Sequence, residues 1–134
     1  MRITRPYHAV LSAAADEAVG KRRRGTDHYR LAYRSIDHRA MRELCQTVRL
    51  RTPSQKYRTH IPGGGFGQSI RDVAESVLIL QRDRNLADYD PAYDVDEEAA
   101  ETAVLRARKA LADWASAPAT EREAFLHLLL FPPR

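Results

Sequence analysis

The residues of this chain best suited to chemistry lie around Arg84, in the segment "LQRDRNLADYDP" at positions 80–91. Apolar residues with helical spacing precede them and predict a helix. On a helical wheel that turns by about 100° per residue, Arg84 falls about 40° from Ile70, inside the apolar stripe. A guanidinium group that faces a core or a subunit interface keeps its charge there, so it needs partners.

Two interpretations of Arg84 follow from this position. It can extend to the helix end and form a structural ion pair with Asp88 at i+4, with Asp90 or with an acid of another helix. Alternatively, it can take part in binding or catalysis. The sequence leaves both interpretations open.

A second group of reactive side chains lies in "YRSIDHRAM" at positions 33–41. On a continuous helix, Arg34 and His38 share one face, and Asp37 is close enough to Arg34 to pair with it. Together these three side chains can move a proton and hold a phosphate. Charged residues with this spacing are also common on solvated helix faces, so a structural role is the alternative.

Patterns that bind metals or nucleotides do not occur in the sequence. The five histidines lack ligand spacing such as HxxxH, and Cys45 stands alone, so no metal site is predicted. The glycine-rich "PGGGFGQS" lacks the Lys-Ser/Thr ending of a phosphate loop, and no strand precedes it. We therefore expect neither a metal nor another cofactor.

Charge is unevenly distributed along the chain. The total is +4, but residues 1–60 carry +9 (14 Lys and Arg against 5 Asp and Glu) and residues 61–134 carry −5 (8 against 13). The basic half would attract a phosphate backbone, and Arg22, Arg23 and Arg24 are candidates for such contacts. The alternatives are that "KRRR" is a solvated turn and that the two halves pair with each other, within a subunit or across a dimer.

The elements that must position these residues are helical. Apolar residues recur at intervals of three and four along most of the chain, and no stretch predicts a convincing strand. The predicted architecture is all-α: an antiparallel bundle of about five helices, forming a single domain over residues 1–134. A long loop is predicted at about 50–66, because two prolines and three consecutive glycines occur there.

Two helix starts carry capping signals. Asp96 alone, or Asp94 with Glu97, is expected to cap the helix that follows "DYDPAYD". Thr120 and Glu123 have the spacing of a capping box at the start of the last helix.

The ends of the chain and its single cysteine carry further expectations. The first helix is predicted to begin almost at Met1, which is consistent with a bundle that lacks a leading helix and completes its core with a second copy. Cys45 is expected to be a small buried residue, and it fits a reducing, cytoplasmic compartment. The apolar stretch "AFLHLLLF" is far short of the roughly 20 residues of a membrane span, so no membrane association is expected.

Several segments resemble small bacterial HEPN-like proteins. "RNLADYDP", followed by an alanine-rich helix and "REAFLHLLLFPPR", looks like their C-terminal half. "RPYHAVLSAAADEAVG" resembles their earlier helix, and "YRSIDHRAM" resembles their "YRALDH" segment. The resemblance extends over nearly the whole chain, with degenerate motifs, and it implies a helical bundle that forms homodimers.

The resemblance also implies a motif. In HEPN ribonucleases, which need no metal, an arginine is often followed by a polar residue and, four to six residues later, by a histidine. Arg84 matches the arginine and Asn85 the polar residue, but Tyr89 stands where the histidine is expected. Ser12 stands where the earlier helix has its histidine. Tyrosine, with a pKa of about 10, is a poor base at pH 7, so His38 is the histidine that would substitute.

The function that the resemblance implies is a dimeric module with a degenerate active site. It would bind RNA, a nucleotide or a co-encoded partner protein in a toxin–antitoxin or defence context. The alternative is a metal-independent ribonuclease, and a third possibility is a helical bundle unrelated to HEPN proteins. The predicted site residues are, for catalysis, Arg84, Asn85, Tyr89 and His38, and, for binding, Arg34, Asp37, Asp88, Arg22, Arg23 and Arg24.

Overall fold

A computed structural model describes residues 4–19, 37–89, 92 and 96–134. All regular structure in these ranges is helical, which confirms the predicted all-α class. The described ranges hold one more α-helix than the five or so predicted, because a short helix lies in the predicted loop. The helices are α1 (Thr4–Val19), α2 (His38–Val48), α3 (Gln55–Arg58), α4 (Gln68–Tyr89), α5 (Glu97–Ser116) and α6 (Ala119–Leu130), with a 3-10 turn at Pro62–Gly64.

Helix α4 is the centre of the bundle, since it packs against α1, α2 and α5. The predicted stripe of Ile70, Val73, Val77 and Leu80 is confirmed as core, with at most 3% of each residue exposed. Burial of side chains of this size stabilises the fold by about 1.5–3 kcal/mol each. The stripe fixes the rotation of α4 about its own axis, and that rotation determines where the residues after Leu80 point.

Helix α2 lies antiparallel to α4. Arg49, just beyond the C-terminal end of α2, approaches Glu75 on α4 to 3.5 Å. At the other end of α2, the backbone carbonyl of His38 accepts a hydrogen bond of 2.8 Å from the side-chain amide of Gln81. The start of α2 therefore lies beside the second half of α4.

Helix α2 begins later than the predicted continuous helix. Asp37 has extended backbone angles (φ −80°, ψ 125°), and its carboxylate accepts hydrogen bonds from the amides of Arg39 and Ala40. This is N-cap geometry, in which the aspartate side chain bonds the first turn and stands outside the helix. The predicted continuous helix through Asp37 is therefore wrong, and the prediction that Arg34 shares a helical face with His38 concerns a residue outside the described ones.

The segment at residues 50–66, predicted as a long loop, has irregular backbone over much of its length. It contains α3 and the 3-10 turn, and Gly63 and Gly64 supply the left-handed backbone (φ 71° and 79°) that glycine adopts at no steric cost. Four of its residues are buried in the core: Pro53, Tyr57, Ile61 and Phe66. Hydrophobic burial therefore anchors a segment that local composition marks as irregular.

The capping predictions have different outcomes at the two later helices. The Asp96 carboxylate accepts a hydrogen bond of 2.7 Å from the amide of Ala99, so Asp96 caps α5 as predicted. Helix α6 begins at Ala119, after Pro118, without a side-chain cap. The predicted capping box at Thr120 is therefore wrong, because Thr120 already lies within the first turn.

Cys45 is a core residue, as predicted. It is fully buried, its Sγ lies 3.7 Å from the Sδ of Met41, and burial raises the pKa of its thiol. No described helix is long and apolar enough to cross a membrane. Pairing with a second copy stays a prediction.

The Asp37 cap gives a test of this part of the fold. We expect Asp37→Ala to lower the free energy of unfolding by about 1 kcal/mol, because two amides of the first turn of α2 lose their acceptor. Asp37→Asn keeps an acceptor oxygen and should lose much less. Urea denaturation followed by circular dichroism measures both variants, and equal losses would contradict the assignment of Asp37 as a cap.

Candidate functional site

Tyr7 joins three helices at one point. Its side chain, from α1, is fully buried, and its hydroxyl oxygen lies 2.8 Å from Nδ1 of His38 at the start of α2. The amide of Gln81, on α4, donates to the Tyr7 oxygen at 3.3 Å and to the His38 carbonyl at 2.8 Å. A buried tyrosine hydroxyl requires hydrogen-bond partners, and these contacts supply them.

Arg84 packs against the same tyrosine. Its guanidinium carbon lies 5.5 Å from the centre of the Tyr7 ring, a cation–π distance, and Arg84 is half-buried. Its predicted inward position is therefore confirmed. The proposed acidic partners cannot be placed, because Asp90 and the side chain of Asp88 lie outside the described part of the structure.

The pKa of His38 is lowered from its ordinary value of 6.5 by this environment. Burial of the ring is the largest cause, followed by the positive charge of Arg84 and then by His8, while Asp37 acts in the opposite direction. His38 stays exposed as a residue, but its ring packs against that of Tyr7, with the ring centres 5.5 Å apart. His38 is consequently neutral at pH 7.

The hydrogen bonds favour one neutral form of His38. Because Gln81 donates to the Tyr7 oxygen, the Tyr7 hydroxyl can donate its own proton to Nδ1 of His38. Neutral His38 then carries its proton on Nε2, which forms no hydrogen bond with the described residues. Tyr7, His38, Gln81 and Arg84 are named here the Tyr7 cluster. The cluster combines an N–H donor, on His38, with a cation, Arg84.

Asn85 forms no described contact with the Tyr7 cluster. Asn85 is exposed and lines a groove of about 730 Å³ between α2 and α4. Gln81 also lines this groove. The side chain of Tyr89 is outside the described residues. Its predicted role, and that of Asn85, stay predictions.

Only some of the other predicted binding residues lie in the described part of the structure. The carboxylate of Asp37 caps α2, as described above. The predictions for Arg22, Arg23, Arg24 and Arg34 fall outside the described ranges. The structure therefore brings together two of the predicted site residues, His38 and Arg84, which are far apart in the sequence.

Sequence reasoning missed Tyr7 and Gln81 as parts of the site. Tyr7 belongs to an apolar stripe and is assigned to the core by its spacing alone. The signal that could have identified it is chemical: a tyrosine in a buried stripe needs a partner for its hydroxyl. Gln81 gives a similar signal, because it follows Leu80 on the core side of α4 and is only 5% exposed.

The described residues contain no group of three or more His, Cys, Asp and Glu side chains that could hold a metal ion. Comparisons with protein-family models, with curated proteins and with solved structures found no match. The resemblance to HEPN proteins stays a prediction.

The electrostatic effect of Arg84 on His38 has a measurable consequence. We expect Arg84→Leu to raise the pKa of His38, because a nearby positive charge is removed. Arg82→Leu, an exposed arginine on the same helix, is the matched control and should leave the pKa unchanged. Titration of the histidine ring protons by NMR measures both, and an unchanged His38 in Arg84→Leu would contradict the coupling.

The lowered pKa also sets the direction of a pH effect on stability. The unfolded chain binds a proton at His38 near pH 6.5, whereas the folded chain resists protonation until lower pH. The contribution of His38 to stability is therefore complete above pH 6.5 and is lost as the pH falls toward the folded-state pKa. His38→Gln should weaken this loss in urea denaturation curves recorded from pH 7.5 to pH 5, and an unchanged pH profile would contradict it.

Proposed function

We propose that this protein is a HEPN-like helical module that binds RNA, with a phosphate group held by His38 and Arg84. The observation that supports the proposal is that both side chains pack against Tyr7. The sequence resemblance matches Arg84 to the motif arginine, and His38 is the histidine that would substitute for those that the motif lacks. Their juxtaposition gives that assignment a physical basis.

The chemistry of the Tyr7 cluster suits a phosphate oxygen. Arg84 supplies a permanent positive charge, and the Nε2–H of neutral His38 is a hydrogen-bond donor. Hydrogen bonds to charged groups contribute about 1.5–3 kcal/mol each. The basic first half of the chain would raise the local concentration of a polyanion around this site.

RNA as the ligand comes from the HEPN resemblance, as do the homodimer and the toxin–antitoxin context. These parts of the proposal do not depend on the geometry of the cluster. A nucleotide would present the same phosphate chemistry, so the binding experiment includes both ligands.

A second candidate function is metal-independent RNA cleavage. It is favoured by the imidazole of His38, which packs against Tyr7 and feels the charge of Arg84. This imidazole would replace the histidines that the motif lacks, where the chain has Tyr89 and Ser12. A neutral His38 could accept the proton of a 2′-hydroxyl, whose oxygen then attacks phosphorus. The bond from phosphorus to the 5′-oxygen breaks, and the proton returns to that oxygen. This reaction needs Nε2 unprotonated, the opposite of the tautomer that Tyr7 and Gln81 favour, so binding is the better supported function.

Binding is tested with a fluorescently labelled 12-nucleotide uridylate and with uridine 5′-monophosphate. We expect Arg84→Ala and His38→Ala each to weaken RNA binding by roughly tenfold or more, from the loss of a hydrogen bond to a charged group. Arg84→Ala should also reduce the slope of log affinity against log salt by about 0.7, the contribution of one phosphate contact. Fluorescence anisotropy at several salt concentrations measures affinity and slope, with the nucleotide as competitor.

The matched control is Arg108→Ala, which removes an exposed arginine from α5 without touching the Tyr7 cluster. Equal losses in Arg84→Ala and Arg108→Ala would mean that only net charge matters, and the proposed site would be wrong. Unchanged RNA affinity in both cluster variants would reject it as well.

Cleavage is tested by incubating the same RNA in EDTA with wild type, His38→Ala and Arg84→Ala. The binding proposal predicts intact RNA in all three samples. Cleavage by the wild type that disappears in both variants would establish the second candidate instead.

A further inference from the structure

A groove lies between the antiparallel helices α2 and α4, next to the Tyr7 cluster. Its cavity of about 730 Å³ has an aliphatic floor of three half-buried residues of α4: Leu78, Ile79 and Leu86. Three arginines stand around this floor: Arg42 and Arg49 on the α2 side, and Arg82 on α4. These six residues define the arginine groove.

The floor is a second apolar face of α4. The first face, with Ile70, Val77 and Leu80, is buried in the core. Helix α4 already packs against α1, α2 and α5, and Leu78 also packs against the core, so these contacts account for much of its apolar surface. The part of the floor that stays exposed is a small aliphatic surface between the arginines.

The charge of the groove selects an acidic occupant. Glu75 is the only acidic residue among the described lining residues, and it already pairs with Arg49 at 3.5 Å. Arg82 pairs only with its sequence neighbour Asp83, and Arg42 forms no ion pair with the carboxylates that the structure describes. A second copy that presented the same groove would set arginines against arginines, which disfavours self-pairing.

The shape and composition of the groove favour a helix over a nucleic acid. Bases of single-stranded RNA stack on aromatic side chains, and none of the described lining residues is aromatic. Two neighbouring helices with aliphatic side chains between them form the kind of groove in which an amphipathic helix binds. Eleven residues separate Glu75 from Leu86 on α4, which corresponds to about 16 Å or three helical turns.

We propose that the arginine groove binds an acidic amphipathic helix of a partner protein, about three turns long. Leucine-like residues of the partner would lie on Leu78, Ile79 and Leu86, and its flanking carboxylates would pair with Arg42 and Arg82. The arginine groove is a different surface from the proposed RNA site, because neither His38 nor Arg84 lines it.

The test uses three synthetic 16-residue peptides with a fluorescent label. The first has leucines at helical spacing of three and four with glutamates on both flanks. The second has the same composition in shuffled order, so that it has no apolar face. The third has the order of the first with lysines in place of the glutamates. Binding is measured by fluorescence anisotropy with the intact protein.

The variants separate the groove from general charge. Arg42→Glu combined with Arg82→Glu reverses the charge of the groove. Arg106→Glu combined with Arg108→Glu changes the charge equally on α5, where neither residue lines the groove. Circular dichroism confirms that both double variants keep the helical content of the wild type.

The proposal predicts that the wild type prefers the acidic amphipathic peptide over the shuffled one by roughly tenfold or more. The groove variant should lose roughly tenfold or more for this peptide and bind the lysine peptide better than the wild type does, whereas the control variant should behave like the wild type. Arg84→Ala should leave peptide binding unchanged, whatever it does to RNA binding.

Three results would overturn the proposal. Equal affinity for the ordered and the shuffled peptide would show that no helix face is recognised. Equal losses in the two double variants would show that only net charge matters. Failure of the wild type to bind the acidic peptide would reject the proposed occupant, and a loss of 12-nucleotide uridylate binding in the groove variant alone would then assign the groove to RNA.

Discussion

The buried hydroxyl of Tyr7 is the constraint on which the candidate site depends. A tyrosine in the core must satisfy its hydroxyl, and here the hydroxyl bonds Nδ1 of His38 and the amide of Gln81. These bonds hold the start of α2 against the second half of α4. They also set the orientation of the His38 imidazole. One buried hydroxyl group therefore determines how His38 is placed relative to Arg84.

The central helix α4 carries this arrangement because its rotation is fixed by its core-facing stripe. Gln81 and Arg84 follow that stripe and point toward Tyr7, while Asn85 and Arg82 point into the groove beside α2. Two different surfaces therefore arise within one turn of a single helix. One combines a cation with an imidazole, and the other combines arginines with aliphatic side chains.

The sequence predicted what depends on periodicity and missed what depends on the meeting of distant segments. Helical spacing identified the core stripe of α4 and the inward position of Arg84, and local capping chemistry identified Asp96. The same spacing wrongly predicted that α2 continues through Asp37. A helical wheel considers only the positions of side chains around the axis, so it does not detect an aspartate that caps the first turn from outside the helix. The juxtaposition of His38 with Arg84 could not be read from spacing, since it requires the relative placement of α1, α2 and α4.

The segment at residues 50–66 also shows that local sequence does not reveal contacts with distant segments. Its prolines and glycines correctly indicate irregular backbone, but composition does not reveal that its apolar side chains fill the core. The arginine groove is likewise invisible in the sequence. Its residues come from two helices, and each arginine alone is an ordinary surface residue.

The central claim is that His38 and Arg84 act as one site through Tyr7. A double-mutant cycle of RNA affinity, with His38→Ala, Arg84→Ala and the double variant, tests it most directly. If the two side chains hold the same phosphate, the losses in binding free energy should be non-additive by about 0.5–3 kcal/mol. Losses that add within about 0.3–0.5 kcal/mol would show two independent contributions and would contradict a shared site.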